Sequence, residues 1–236
     1  MLSSARHSTR PSDPTLAGLL RRSPWANAID ARLRARVEAE TITRICPAGS
    51  LVCHKGERVD HWIGVIDGLV KMANVSADGK PMSFTGIPAG GWFGEGSLLK
   101  DEPRRYDVVA LRASLIAYVP RSVFMALLDS SVSFNRFLLV QLNERLGQFI
   151  AMVEHGRLLG PDARLARSLA GLFNPTLYPS IGPALPLSQE EMGQLVGLSR
   201  QRVNQALKTL EQAGLVRVEY GGVTVLDLDG LRAFEG

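Results

Sequence analysis

The residues best equipped for chemistry lie near the C-terminal end of the chain. From Ser199 to Lys208 the polar positions are Ser199, Arg200, Gln201, Arg202, Asn204, Gln205 and Lys208. They alternate at helical spacing with Val203, Ala206, Leu207 and Leu210. Arginine can give two hydrogen bonds to guanine, and glutamine or asparagine can pair with adenine; Lys208, further along, suits a phosphate. This is chemistry for reading base edges, not for breaking bonds. Elsewhere no nucleophile–base pair or metal cluster stands out. His7, His54, His61 and His155 are scattered without ligand spacing. Two cysteines, Cys46 and Cys53, make neither a disulfide framework nor a four-cysteine metal site, and read as buried apolar fillers. No catalytic or metal-binding residue is assigned, and the chain is not read as an enzyme.

The elements that must hold this polar face are legible around it. Ser188 and Glu191 match a capping box, in which the serine oxygen accepts from an amide and the glutamate reaches back. Met192, Leu195 and Val196 form the inner face of the helix they open. Gly197 permits a sharp turn, Leu198 packs back, Ser199 caps a second helix, and Gly214 ends it. Leu215–Tyr220, Gly221-Gly222 and Val223–Leu226 then read as a β-hairpin. Two helices about a glycine turn, followed by a hairpin, form a winged helix-turn-helix, whose second helix enters the major groove of DNA. Ser188 and the Ser199–Lys208 positions are its candidate DNA contacts. The plainer reading is an ordinary amphipathic helix, and from Ala184 onward five Lys/Arg face seven Asp/Glu. Placement decides against it, because Arg200, Arg202 and Lys208 share one helix.

Upstream, 236 residues allow one or two domains at about 150 residues each. Apolar residues are 45%, charged residues 21%, and the formal net charge is +4. That mild basic excess fits a nucleic-acid partner without requiring one. Residues 1–14 read as a disordered tail, without the apolar core of a signal peptide. No apolar run reaches the roughly 18 residues that a membrane helix needs. A cytoplasmic protein with no membrane partner is expected. Leu16 to Ile42 reads as helical. From Ile45 to Pro120 short apolar runs alternate with turns such as Asp67-Gly68 and Ala89-Gly90-Gly91, which suggests a small sandwich or barrel. Ser131 to Gly156 is one long helix, with Leu139, Leu142, Leu146, Phe149, Val153 and Gly156 at heptad spacing, a seam for a second copy. Its other face should meet the β-region. Pro161 opens a further helix, and residues 174–186 form a proline-rich linker or contact loop.

With these elements in place, the chain resembles the cyclic-AMP receptor protein / fumarate-nitrate regulator family from about Leu16 to its end. The stretch Leu187–Glu211 is the most specific match, supported by Lys55-Gly56-Glu57, Val65-Ile66-Asp67-Gly68 and Phe93-Gly94-Glu95. The resemblance implies an α+β architecture. A double-stranded β-helix (jelly-roll) sensor of the cyclic-nucleotide-binding type spans residues 15–130, a dimerisation helix 131–160 and the winged helix-turn-helix 161–236. It implies a homodimer on a palindromic promoter site, usually with contact to RNA polymerase.

For the effector it implies a site at Gly94, Glu95, Gly96 and Ser97, with Arg104 or Arg105 for a phosphate. Tyr106 stands where cyclic-AMP binders carry a small hydroxyl residue, and Phe149 and Ile150 stand where responders offer hydroxyls to adenine. An adenine edge left against carbon loses about 1–3 kcal/mol per unpaired group. Tight cyclic-AMP binding is therefore not expected; cyclic di-GMP, another ligand or none remain open. Two cysteines cannot supply the iron–sulfur cluster of some members, and no histidine is placed for haem. Arg200 matches the family's guanine-reading arginine, whereas Gln201 replaces its glutamate and Gln205 a following arginine, which points to a different palindrome. The competing reading is a nucleotide-sensing module that acts mainly through protein contacts. The polar Arg200/Gln201/Gln205 face disfavours it, since docking faces are more often apolar or aromatic.

Overall fold

The computed structural model describes residues 13–75, 81–179 and 181–236; the expected tail lies almost wholly outside them. The stretch Leu16–Ile42 is three helices, not one: α1 (Leu16–Arg22), α2 (Pro24–Ala28) and α3 (Ala31–Glu40). Pro24 explains the first break, because it disfavours helical backbone at the residue before it. Ser23 is extended, and its hydroxyl donates to Leu19 O at 2.9 Å. Asp30 begins α3 afresh by accepting from Leu33 N at 2.8 Å. Ile42, expected in the helix, starts a strand.

Eight strands follow: β1 (Ile42–Cys46), β2 (Leu51–Cys53), β3 (His61–Asp67), β4 (Leu69–Val75), β5 (Pro81–Pro88), β6 (Trp92–Phe93), β7 (Asp107–Ala110) and β8 (Ser114–Pro120), with α4 (Glu95–Lys100) after β6. They make two antiparallel sheets, ordered β1-β8-β3-β6 and β2-β7-β4-β5. Register places Trp62 opposite Val119 and Val70 opposite Ile87, so the apolar alternation of each strand turns inward. Ile63, Val65, Val70, Met72, Ile87, Phe93, Val108 and Ile116 fill the space between the sheets. Gly68 is forced twice at the β3–β4 turn: its φ is +98°, and a Cβ there would lie 2.3 Å from Ser114 Oγ.

A second core joins the sheets to the helices. Trp62 lies with its ring centroid 4.4 Å from Trp92 and 5.0 Å from Trp25, and Phe134 closes the group at 5.5 Å. Trp92 Nε1 donates to Ser23 Oγ at 2.9 Å, so the helix break also serves the core.

After β8, α5 (Arg121–Ser130) turns through 109° into α6 (Val132–Leu158), where Ser131 caps by accepting from Phe134 N. Among the described residues no single helix is long and apolar enough to cross a membrane. The chain ends with α7 (Pro161–Gly171), β9 (Ala184–Leu185), α8 (Gln189–Val196), α9 (Arg200–Gln212), β10 (Val216–Glu219), β11 (Gly222–Val225) and α10 (Leu228–Ala233). The strands form a three-stranded wing, β10-β11-β9, around a core of Leu165, Leu169, Met192, Val203, Leu207 and Leu210. Strands β1, β6 and β9 and helices α4, α5 and α10 are elements that apolar patterning alone did not separate.

Candidate nucleic-acid interface and effector cavity

Helix α8 is held by the capping box: Ser188 Oγ accepts from Glu191 N at 3.2 Å, and Glu191 Oε2 accepts from Ser188 N at 2.7 Å. Glu191 also takes Arg112 Nε of the sensor at 2.8 Å. Gly197, at φ +68°, turns the chain, and Ser199 Oγ accepts from Arg202 N at 3.2 Å to start α9. Val203, Ala206, Leu207 and Leu210 are buried, so the opposite face looks outward. Ser199, Arg200, Gln201, Gln205 and Lys208 are exposed on it, and Asn204 is half-buried at its margin.

Three positions of the sequence-derived set are engaged within the fold. Ser188 and Ser199 each accept from an amide at a helix cap. Arg202, expected at the DNA face, turns back to Asp162 at the start of α7, with 2.5 Å between Nη1 and Oδ1. The neighbouring acids are also engaged. Glu211 accepts from Val218 N at 2.8 Å, and Glu219 pairs with Arg217 at 2.9 Å. Among the described residues Arg200 and Lys208 have no ion-pair partner. Arg200 and Lys208 give the outward face of α9 its positive charge. Tyr220, wholly exposed at the wing tip, was not singled out from sequence.

The second site lies at the β6–α4 turn. Gly94 sits at φ +95°, and Arg104 Nη1 would be 3.0 Å from a Cβ added there. Glu95 and Arg104 are 4% and 5% exposed. Glu95 Oε2 and Arg104 Nη1 are buried with no hydrogen-bond partner. Ser97 is buried and Gly96 half-buried beside them. The backbone pins Arg104 in place: its N–H donates to Glu57 O at 2.9 Å, and Gly56 N donates to its carbonyl at 2.8 Å. The sequence left Arg104 and Arg105 as alternatives; the fold separates them. Arg105 points outward and chelates Glu102 at 2.8 and 2.7 Å. With Lys100 it holds the Glu102 carboxyl down to about 2.

Arg145 of α6, missed from sequence, enters the same interior. Its Nη2 donates to Trp92 O at 2.9 Å and its Nη1 to Tyr178 Oη at 3.4 Å. The signal was present: Phe134, Leu138, Gln141 and Arg145 share one buried face of α6, so a cation occupies a core position. One carboxylate and two guanidinium groups leave the interior with surplus positive charge, which suits an anion. Burial pushes the Tyr106 phenol above its ordinary value, with the Glu95 charge acting the same way. Burial likewise pushes the Cys53 thiol up to about 12, so it stays protonated.

The seam residues of α6 divide. Leu139, Leu146 and Val153 are exposed, Leu139 by 68%. Leu142 and Phe149 are half-buried, and Phe149 meets Phe84 of β5 with ring centroids 6.3 Å apart. Ile150 joins the exposed stripe.

Two family models match this chain: the "Cyclic nucleotide-binding domain" at residues 43–131 and the "Crp-like helix-turn-helix domain" at residues 163–234. The cAMP-activated global transcriptional regulator CRP of Haemophilus influenzae is 29% identical over 174 residues, 72% of this chain and 77% of that protein. The cAMP-activated global transcriptional regulator Vfr of Pseudomonas aeruginosa is 28% identical over 179 residues, 73% of this chain and 83% of its own length. FixK2 from Bradyrhizobium japonicum shares the fold with a TM-score of 0.65 at 20% identity, over 83% of this chain and 98% of that one. So does the c-di-GMP responsive regulator CLP of Xanthomonas campestris, with a TM-score of 0.59 at 24% identity, over 83% and 99%. A sensor roll, a long helix and a winged reading head in this order, matched by both family models and by full-architecture relatives, mean that the chain belongs to the CRP/FNR family of DNA-binding transcription regulators.

Proposed function

We propose that the protein is a homodimeric regulator whose DNA affinity is set by a cyclic nucleotide held at Gly94, Glu95 and Arg104. The observation that carries the effector reading is the pair of buried, unpartnered atoms Glu95 Oε2 and Arg104 Nη1 against the Gly94 turn. A buried polar atom without a partner is costly. A ribose hydroxyl donating to Glu95 and a phosphate accepting from Arg104 would satisfy both. Gly96 and Ser97 line the same turn. At the base end Phe149 and Phe84 offer carbon, so the base is held by contact rather than hydrogen bonds. Tight cyclic-AMP binding is not expected from such a wall. The relatives CRP and Vfr are cAMP-activated and CLP is c-di-GMP responsive, which makes these two nucleotides the ligands to try. Calorimetric titration of the full chain with cyclic AMP, then cyclic di-GMP, tests the reading. Heat that disappears in Glu95→Gln supports it. Silence with both overturns it, and micromolar cyclic AMP binding overturns the reading of the base wall.

Residues 15–130 act as the sensor, 131–160 as the dimer helix and 161–236 as the reading head. The exposed Leu139, Leu146, Ile150 and Val153 stripe, continued by Leu142 and Phe149, is the dimer seam; burying each large aliphatic side chain contributes about 1.5–3 kcal/mol. Two-fold symmetry then sets the α9 helices about 34 Å apart on a palindrome. Arg200, Gln201, Asn204 and Gln205 read bases, while Ser199 and Lys208 meet phosphates; RNA polymerase is the further partner, and the cytoplasm the place of action. Selection from random DNA tests the base-reading set. Recovery of the receptor protein's own consensus would refute a changed half-site.

A further inference from the structure

The stretch between α7 and β9 belongs to two cores at once. Leu172 packs in the winged core. Leu177 and Tyr178, a few residues on, are buried in the sensor core with Ile63, Ile87 and Phe93, and Tyr178 is 1% exposed. Asn174 builds the turn that permits this crossing. Its Oδ1 accepts from the Thr176 and Leu177 amides at 2.9 Å each, and Tyr178 N donates to its carbonyl at 2.8 Å. The turn is fastened to α6, where Asn174 Nδ2 donates to Glu144 Oε2 at 2.7 Å. On the next residue of α6, Arg145 donates to Tyr178 Oη, which itself donates to Gly86 O of β5 at 3.0 Å.

Arg145 therefore stands between the two sites. One amino group meets Tyr178, a residue of the reading head, and the other donates at 2.9 Å to Trp92 O, three residues before Glu95. Arg112 pairs with Glu191 at 2.7 Å and Gly86 faces Leu195, beside a cavity of about 680 Å³ between β5, α6 and α7.

We propose that Tyr178 is a latch: when seated it ties the reading head to the sensor through Arg145, and a ligand that draws Arg145 toward Glu95 and Arg104 takes the guanidinium from the phenol and loosens the segment. This rests on the effector reading, which places the ligand at Glu95. Seat and ligand compete for one guanidinium, so by linkage each weakens the other.

Tyr178→Phe in the full chain removes the hydroxyl and keeps the ring that fills the core. The expected results are about five-fold faster hydrogen exchange of the Thr176, Leu177 and Tyr178 amides, and about five-fold tighter binding of whichever of cyclic AMP or cyclic di-GMP the wild type binds. The exchange change reflects loss of both hydroxyl bonds, from Arg145 and to Gly86 O, and the affinity change reflects loss of the Arg145 bond alone; both are of the size expected for buried hydrogen bonds. The change in operator affinity caused by that nucleotide, read by fluorescence anisotropy, should shrink. Unchanged exchange together with unchanged nucleotide affinity overturns the latch. If the wild type binds neither nucleotide, the effector reading fails by itself; the exchange rate then still decides whether Tyr178 ties head to sensor.

Discussion

Arg200 and Arg145 are the same residue type put to opposite uses at the two ends of the molecule. Arg200 stands exposed on α9 with no ion-pair partner among the described residues, available to a ligand as large as DNA. Arg145 is buried between the sheets and α6, spending its donors on a carbonyl and a phenol. At the reading head, function depends on side chains that the fold leaves alone. In the sensor it depends on side chains that the fold has brought together from β6, α4, α6 and the 172–178 segment. The first kind of site tolerates substitution structurally and fails locally. The second cannot be altered without disturbing the packing that makes it.

Trp62→Ala tests that difference most severely. It empties the centre of the Trp25/Trp62/Trp92/Phe134 group and should cost about 3–5 kcal/mol. Calorimetry should show the sensor transition falling while the α7–α10 core melts near its original temperature. A single transition that moves as a whole would break the comparison, because the two ends would then be one cooperative unit.

Arg200→Ala should weaken specific DNA binding by about 1–3 kcal/mol and relax base preference, with nucleotide binding and thermal stability unchanged. Equal losses on operator and random DNA would reduce Arg200 to a phosphate contact. Glu191→Ala lies at the junction of the two regions, removing one side of the capping box and the partner of Arg112. A loss of about 1 kcal/mol in stability is expected from the cap. A larger loss, read by denaturant titration, would mean that the Arg112 pair holds head to sensor more firmly than its geometry suggests.

The smallest effect is that of pH. Burial holds the His61 imidazole below its ordinary value of 6.5. The unfolded chain therefore takes up a proton before the folded one does. Stability from His61 is complete above the unfolded value and declines as pH falls below 6.5 toward the lowered folded value. The slope of stability against pH in that window should flatten in His61→Gln. His155, lowered by burial and then by Arg167, adds a slope of the same sign.

The reading head was largely legible in the order of its residues. Ser188/Glu191, Gly197, Ser199 and the Val203–Leu210 stripe are local signals, each satisfied within a few residues of itself, and the structure places every one of them in the expected element. Arg202 was not legible as a frame residue, because Asp162 lies forty positions away on α7. In the β-region the turn glycines marked most strand ends. β1 was obscured because its residues are mostly exposed and carry no alternation. The split of Leu16–Ile42 was signalled by Ser23-Pro24, and was hidden by apolar spacing that continues across the break.

What the sequence determined by itself was therefore the periodic and capped parts: the two-helix head, the wing, the long helix and the strand-rich middle. Helix periodicity, capping and turn chemistry act over a few residues, so their outcome is written where they occur. Only the tertiary structure decided which of Arg104 and Arg105 turns inward, that Arg145 meets Trp92 O and Tyr178, and that Tyr178 crosses from the head into the sensor. Those choices depend on which buried polar groups find partners across the sheets. That is a property of residues distant in the chain, and no local pattern encodes it.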